Sequence, residues 1–123
     1  MEKKRPGRRG GRAAHRYWIL RALSDADHGK ASKREVLKSV YPKIEKQLRP
    51  RDLDFVKDSP EHVWENEFAW ASEDLKRDGR LKDDSSHGTW EISDAGREWL
   101  KKHPDPPKWG LEKWEWDPDD EIG

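Results

Sequence analysis

The sequence predicts a mainly α-helical domain with one small β-hairpin. Trp64, Phe68, Ala71 and Leu75 recur at i, i+4, i+7 and i+11, which is the spacing of an apolar stripe on one face of a helix. After Gly79 the period changes from helical to alternating, as is typical of paired strands. A long helix followed at once by a hairpin is the arrangement of a winged helix-turn-helix.

Two shorter helices are expected before the long one. The first runs from Ala13 to about Asp25, and its apolar face contains Ile19, Leu20 and Leu23. Ser32 and Glu35 have the spacing of a capping box, so a second helix should begin after Ser32 and bury Val36, Leu37 and Val40. Pro42 should close this helix or begin a new turn.

The remaining segments are predicted from turn-forming residues and from the alternation of apolar and polar residues. Residues 49–60 contain two prolines and several charges, so we expect a loop pinned by Leu53, Phe55 and Val56. In the hairpin, one side should carry Leu81, Trp90 and Ile92, and the other Lys82 and Glu91. Gly79 should cap the long helix, and Ser93 a last helix that runs through about Lys102.

Composition limits the class of protein. The chain has 123 residues, enough for one small domain, and 42% of them are charged. With no cysteine, it has no disulfide or Cys-ligated zinc, which fits a cytoplasmic location. The longest apolar run, 17–20, is too short to cross a membrane. The five histidines lack metal-ligand spacing, and no phosphate loop or nucleophile motif is present, so we expect no cofactor.

Charge is distributed unevenly along a chain whose net charge is zero. Residues 1–12 carry a balance of +5 and residues 104–123 a balance of −5, which predicts a flexible basic arm, a folded unit at 13–103 and an acidic tail. The arm is either a nucleic-acid contact or a solubilising tail. The tail contains Trp109, Trp114 and Trp116, whose indole rings are costly to expose to water, so it either folds back onto the domain or docks on a partner. A further hypothesis is that the acidic tail binds the basic arm and so competes with DNA.

Four segments of the sequence carry a resemblance to a known family. They are 17–23 (YWILRAL), 30–37 (KASKREVL), 64–81 (WENEFAWASEDLKRDGRL) and 88–100 (GTWEISDAGREWL). In this order and spacing they resemble the N-terminal winged-helix domain of Mrr-type restriction proteins. The resemblance implies a DNA-binding domain that precedes a nuclease acting on modified DNA. About 20 residues follow the last predicted helix, and they lack the Asp…(Asp/Glu)-x-Lys pattern of that nuclease, so we expect no enzymatic activity.

The long helix departs from the resemblance in its charge. The resemblance implies arginines near Glu67, Ala69 and Ser72, whereas residues 61–77 hold five acids against Lys76 and Arg77. A helix this acidic should be repelled by phosphates.

Twelve residues are candidates for DNA contact. One row on the long helix consists of Asn66, Trp70 and Arg77. Asn66 is expected to hydrogen-bond to a base, Trp70 to stack, and Arg77 to bind a phosphate or guanine. The alternative for Trp70 is packing on the first helix or the hairpin. Lys33 and Arg34 would meet the DNA backbone or form a solvated face. The full set is Arg5, Arg8, Arg9, Arg12, Lys33, Arg34, Asn66, Trp70, Arg77, Arg80, Lys82 and His87.

The sequence therefore predicts a non-catalytic winged-helix protein that binds plain or modified double-stranded DNA, in restriction, phage defence or transcriptional control. The alternative is a protein-interaction adaptor that uses the acidic third helix to engage a partner, such as a separate nuclease or regulator. No membrane partner is expected, and the sequence leaves the oligomeric state open.

Overall fold

The computed structural model describes residues 12–86 and 88–109. Within these residues, four α-helices and two strands form a mainly α, winged-helix-like arrangement, which confirms the predicted fold class. Their bounds are α1 Ala13–Ser24, β1 Lys30–Ser32, α2 Lys33–Ile44, α3 Val63–Arg77, β2 Thr89–Glu91 and α4 Asp94–Lys102. Short 3-10 turns cover Asp27–Gly29, Glu45–Gln47 and Pro50–Leu53.

The small sheet differs from a simple hairpin. β2 pairs antiparallel with β1, with Ala31 opposite Trp90. On its other edge, Leu81 bridges to Ile92, and the backbone N–H of Lys82 donates to the carbonyl of Glu91 over 2.8 Å. The predicted hairpin is therefore present, but its returning strand lies between two neighbours. The pairing of β1 was not predicted, because a three-residue strand shows too little alternation to detect.

The predicted helix caps are confirmed. The Ser32 hydroxyl accepts from the Glu35 N–H over 3.1 Å, and the Glu35 carboxylate accepts from the Ser32 N–H over 2.8 Å. The Ser93 hydroxyl accepts from the Gly96 N–H over 3.1 Å at the start of α4. Gly79 has a φ of 80°, the left-handed conformation expected just after α3.

The predicted end of α2 is wrong. Pro42 lies inside the helix, which continues to Ile44. Proline removes one backbone hydrogen bond, but Ile44 is fully buried, and this burial compensates for the loss.

The core forms where α1, α2, α3 and the sheet meet. All four residues of the predicted α3 stripe are buried, and α1 contributes a face of its own. The largest fully buried side chains are Phe68, Ile19, Leu20, Leu23, Ile44, Leu75, Leu81, Val36 and Val40.

The expectation that apolar side chains pin the loop at 49–60 is wrong for Leu53 and Phe55, which are 49% and 63% exposed. The buried residue is instead Asp52. Its carboxylate accepts from the Arg49 N–H over 2.8 Å and from the Trp109 indole N–H over 3.2 Å. The Nε of Arg49 adds a third hydrogen bond over 3.4 Å. These three bonds satisfy the buried acid, so a polar residue holds the loop.

The segment after α4 packs back onto the domain. The Tyr17 hydroxyl donates to the carbonyl of Pro104 over 3.0 Å, and Pro107 is buried. The indole of Trp109 lies 4.3 Å from the His15 ring, measured between centroids. The packed unit therefore extends beyond 103 to at least Trp109, and the rest of the predicted tail, 110–123, lies outside the described residues.

His15 is a buried imidazole in contact with two aromatic rings. Its centroid is 4.7 Å from that of Phe68, and the Phe68 and Trp109 centroids are themselves 6.4 Å apart. Neither ring nitrogen has a hydrogen-bond partner among the described residues. Burial, and then the charges of Arg12, Arg16 and Arg49, lower the pKa of His15 to about 3. His15 is therefore neutral in the folded protein near pH 7.

Candidate nucleic-acid interface

Four of the twelve candidate residues lie outside the part of the chain that the structure describes. They are Arg5, Arg8, Arg9 and His87. The other eight lie just before α1, on α2 and α3, and in the sheet region, and their surroundings differ widely.

The outward row of α3 is formed by Asn66, Trp70, Glu73 and Arg77. Positions spaced by three and four residues share one helix face, and this row lies roughly opposite the buried stripe. Asn66 is half-buried, while Trp70 and Arg77 are exposed. An amide, an indole and a guanidinium therefore follow one another along one side of the helix.

Trp70 is the exposed member of the six tryptophans that the structure describes, with 55% of its surface accessible. The interpretation that it packs on the first helix or the hairpin is wrong. The physical reason is its place on α3: the buried stripe through Trp64, Phe68 and Leu75 faces the core, and Trp70 lies on a different face.

Four of the five acids of residues 61–77 pair with lysine or arginine. Glu61 pairs with Lys33, Glu67 with Arg12, Glu73 with Lys76, and Asp74 with Arg12, Arg16 and Arg77. The fifth, Glu65, accepts a hydrogen bond from the backbone N–H of His62 at the start of the helix. A charge count along the sequence therefore overstates the negative field of α3, because part of the neutralising charge comes from α1 and α2.

Asp74 is the centre of this network. Its Oδ2 accepts from Arg16 over 2.7 Å and from Arg12 over 3.3 Å, while its Oδ1 accepts from Arg77 over 3.1 Å. Burial alone would raise the pKa of Asp74, but the charges of Arg16 and Arg12 outweigh it and lower the pKa. Asp74 is thus a charged, structural residue that ties α1 to α3.

Arg12 does not belong to a free arm. Its guanidinium donates to Glu67 over 2.9 Å, and its side chain is largely covered. Arg12 also precedes the first turn of α1, where its carbonyl accepts from the Arg16 N–H over 3.0 Å. The residue is committed to the fold, so DNA contact through Arg12 would require these ion pairs to break.

The sheet-region candidates are also engaged. The Arg80 guanidinium lies 5.2 Å above the Trp99 ring and 3.5 Å from the carboxylate of Asp78. Lys82 pairs with Glu91 across the strands at 3.1 Å. These contacts stabilise the sheet and α4 and leave Arg80 with little exposed surface.

Helix α2 presents the more accessible basic groups. Lys33 is paired with Glu61, but Arg34 is exposed and has no carboxylate within 4.0 Å among the described residues. The same holds for Lys38, one turn further along α2. The sequence prediction missed Lys38. The signal was its i+4 spacing from Arg34, which places both side chains on one outer face.

The described residues show neither a group of His, Cys, Asp and Glu side chains arranged to hold a metal ion nor a helix suited to spanning a bilayer. The arrangement offers hydrogen-bonding, stacking and cationic groups on the outer faces of α2 and α3.

Comparison with known protein families gives a match to most of the chain. Residues 16–102, most of the chain, match the family described as the Mrr N-terminal domain. No curated protein and no solved structure matches. The match begins within α1 and ends at the last residue of α4, so it covers every strand and nearly all of the helical structure described above. The chain therefore belongs to the Mrr N-terminal domain family.

Proposed function

We propose that this protein is a non-catalytic DNA-binding module. The observation that carries the proposal is the outward row of α3, where Asn66, Trp70 and Arg77 are not part of the core. In a winged helix, the helix before the hairpin is the one that enters the major groove. Membership of the Mrr N-terminal domain family adds support, since that name comes from restriction systems.

Each group in the row has a defined use on DNA. The Asn66 side chain can make paired hydrogen bonds to an adenine edge. Arg77 can reach a phosphate or a guanine, because its side chain is 70% exposed although Asp74 holds one of its nitrogens. Trp70 adds apolar contact. These contacts to the bases give sequence specificity. Other residues must bind the phosphates of the DNA backbone.

Arg34 and Lys38 on α2 supply part of that affinity. They lie on the outer face of the helix that precedes α3, and their charge is not neutralised by nearby carboxylates of the described residues. The local pairing of the acids in residues 61–77 lowers the repulsion that their number alone suggests. The basic residues 1–11 would add phosphate contacts.

A salt titration tests this proposal. Binding of the full chain to a labelled duplex, plain or methylated, should weaken with salt, with a slope of log K against log salt near −4.5 if about five phosphates are neutralised. Arg34→Gln and Lys38→Gln should each make the slope about 0.9 less steep. Lys101→Gln is the matched control, because Lys101 pairs with Glu98 on α4 and lies outside the proposed surface. Absence of binding to any duplex at low salt would overturn the proposal.

A second candidate function is supported by a different observation. Leu53 and Phe55 are exposed apolar side chains just before α3, and the Phe55 ring stacks on His62 with centroids 4.4 Å apart. Exposed apolar side chains at one place are typical of a protein contact. As an adaptor, the protein would lose partner binding in a Phe55→Ser variant, whereas the DNA proposal expects unchanged DNA affinity from that variant.

A further inference from the structure

We propose that Trp70 stacks on an unpaired base, so that the preferred ligand is DNA containing at least one base outside the double helix. This inference rests on the proposed DNA-binding function and specifies its ligand.

The first argument is the exposure of the indole. Trp70 leaves 55% of its surface in water at the centre of α3, while Trp64 and Trp90 are 6% exposed and Trp99 is 7% exposed. A large apolar ring on the surface is unfavourable in the free protein and becomes favourable when another ring covers it. Every nucleobase has a flat face that can do this.

The second argument is the identity of the neighbours in the row. Asn66 lies one turn before Trp70, about 6 Å along the axis, and Arg77 lies about 10 Å beyond it. A base stacked on the indole would have its polar edge within reach of an amide on one side. The guanidinium on the other side is suited to a phosphate of the same strand.

The third argument concerns paired DNA. In a duplex the base faces are stacked on one another, so only the edges are available in the grooves. The indole has one N–H donor, and in the groove its apolar faces meet at most a thymine methyl group and no base face. A duplex would also surround α3 with phosphates on both sides of the groove, close to Glu73, whose side chain is 56% exposed. An unpaired base avoids the first cost, because its face is not covered by a neighbouring base, and its single strand brings phosphates to only one side of the helix.

The experiment compares three DNA ligands of identical sequence with the full chain. They are a paired duplex, the same duplex with one extrahelical 2-aminopurine, and the 2-aminopurine strand alone. The wild-type protein should bind the two ligands with an unpaired base about 5- to 150-fold more tightly than the duplex, the range that one base–aromatic stack gives. Stacking on Trp70 should also quench 2-aminopurine fluorescence.

Three variants assign the effect to the indole. Trp70→Ala should abolish both the preference and the quenching, while Trp70→Phe should retain most of the preference because it keeps an aromatic face. Leu53→Ala is the control for loss of an exposed apolar side chain away from the row, and it should behave as the wild type. Because Trp70 is exposed, its replacement should leave the unfolding curve nearly unchanged.

The outcomes separate this inference from the proposed function. Equal affinity of the wild type for all three ligands overturns the stacking inference and leaves DNA binding intact. An equal loss for all ligands in Trp70→Ala also overturns it, since it would make Trp70 a general groove contact. If the wild type binds none of the ligands at low salt, both the inference and the proposed function fail.

Discussion

Protonation of His15 should destabilise the fold over a defined pH range. The imidazole packs against Phe68 and Trp109, and neither of its nitrogens has a hydrogen-bond partner among the described residues. A charge at this position would lose its hydration and face Arg12 and Arg16, without gaining a carboxylate partner. The folded protein therefore resists a proton that the unfolded chain accepts readily.

The sign and size of the effect follow from the two pKa values. The pKa of His15 falls from 6.5 to about 3 on folding, so between these values the unfolded state binds more protons. The free energy of unfolding is unaffected above 6.5 and decreases as the pH falls from there to about 3. Each pH unit costs about 1.4 kcal/mol, so at about pH 4.5 the loss is ~3 kcal/mol. This is a large share of the ~5–15 kcal/mol that stabilises a typical domain.

Urea unfolding followed by tryptophan fluorescence measures this loss at about pH 7.5 and pH 4.5. The His15→Phe variant keeps a ring against Phe68 and Trp109 but cannot titrate, so its free energy of unfolding should lose the ~3 kcal/mol pH dependence. At pH 7.5 this variant should be at least as stable as the wild type, because phenylalanine has no polar atom to bury.

The matched control is His28→Asn, which removes an exposed histidine whose φ of 57° asparagine tolerates. This variant should keep the wild-type pH dependence. Asp74 contributes outside the chosen range: its pKa is lowered on folding, so its stabilisation is lost only as the pH falls below about 3.8. The reasoning is refuted if the wild type is equally stable at both pH values, or if His15→Phe retains the slope.

Three further substitutions test the packing of the domain. Asp74→Asn should lower the free energy of unfolding by about 3–5 kcal/mol, because Arg16 stays buried without its counter-charge. Urea unfolding measures this loss, and a value below about 1 kcal/mol would contradict a structural role for Asp74. Ser32→Ala removes the cap of α2 and should cost about 1 kcal/mol in the same assay, whereas an unchanged midpoint would argue against the capping box. Gly96→Ala would place a Cβ 2.4 Å from the Arg80 carbonyl oxygen, so its thermal midpoint should fall, and a wild-type midpoint would disprove the close contact.

Local sequence patterns determined the helical part of the fold. The apolar spacing of α3, the capping residues Ser32 and Ser93, and the break at Gly79 are short-range features, and each appears in the structure where it was predicted. Such features act within one or two helical turns, so the chain next to them is sufficient to specify them. Pro42 was misjudged because its effect depends on the distant core that buries Ile44.

The sequence predicted which residues face outward at the candidate site, but it did not predict which of their side chains are exposed and unpaired. The outward position of Asn66, Trp70 and Arg77 follows from helical spacing, but whether Trp70 is covered depends on what packs beside α3. The same limit applies to the basic residues. The sequence predicts that Arg12 belongs to a free basic arm. In the structure, Arg12 is paired with Glu67, which lies 55 positions away.

The sequence by itself determined which segments are helical, where they are capped and which family the residues resemble. Only the tertiary structure decided which charges neutralise one another, because ion pairs such as Arg16 with Asp74 join residues 58 positions apart. It also decided that His15 is buried without a hydrogen-bond partner among the described residues and that the indole of Trp70 remains in water. The physical reason is the distance along the chain over which each effect acts. The residues that start, cap and end a helix act on their neighbours in sequence, whereas burial and electrostatic fields depend on every element that folding brings together.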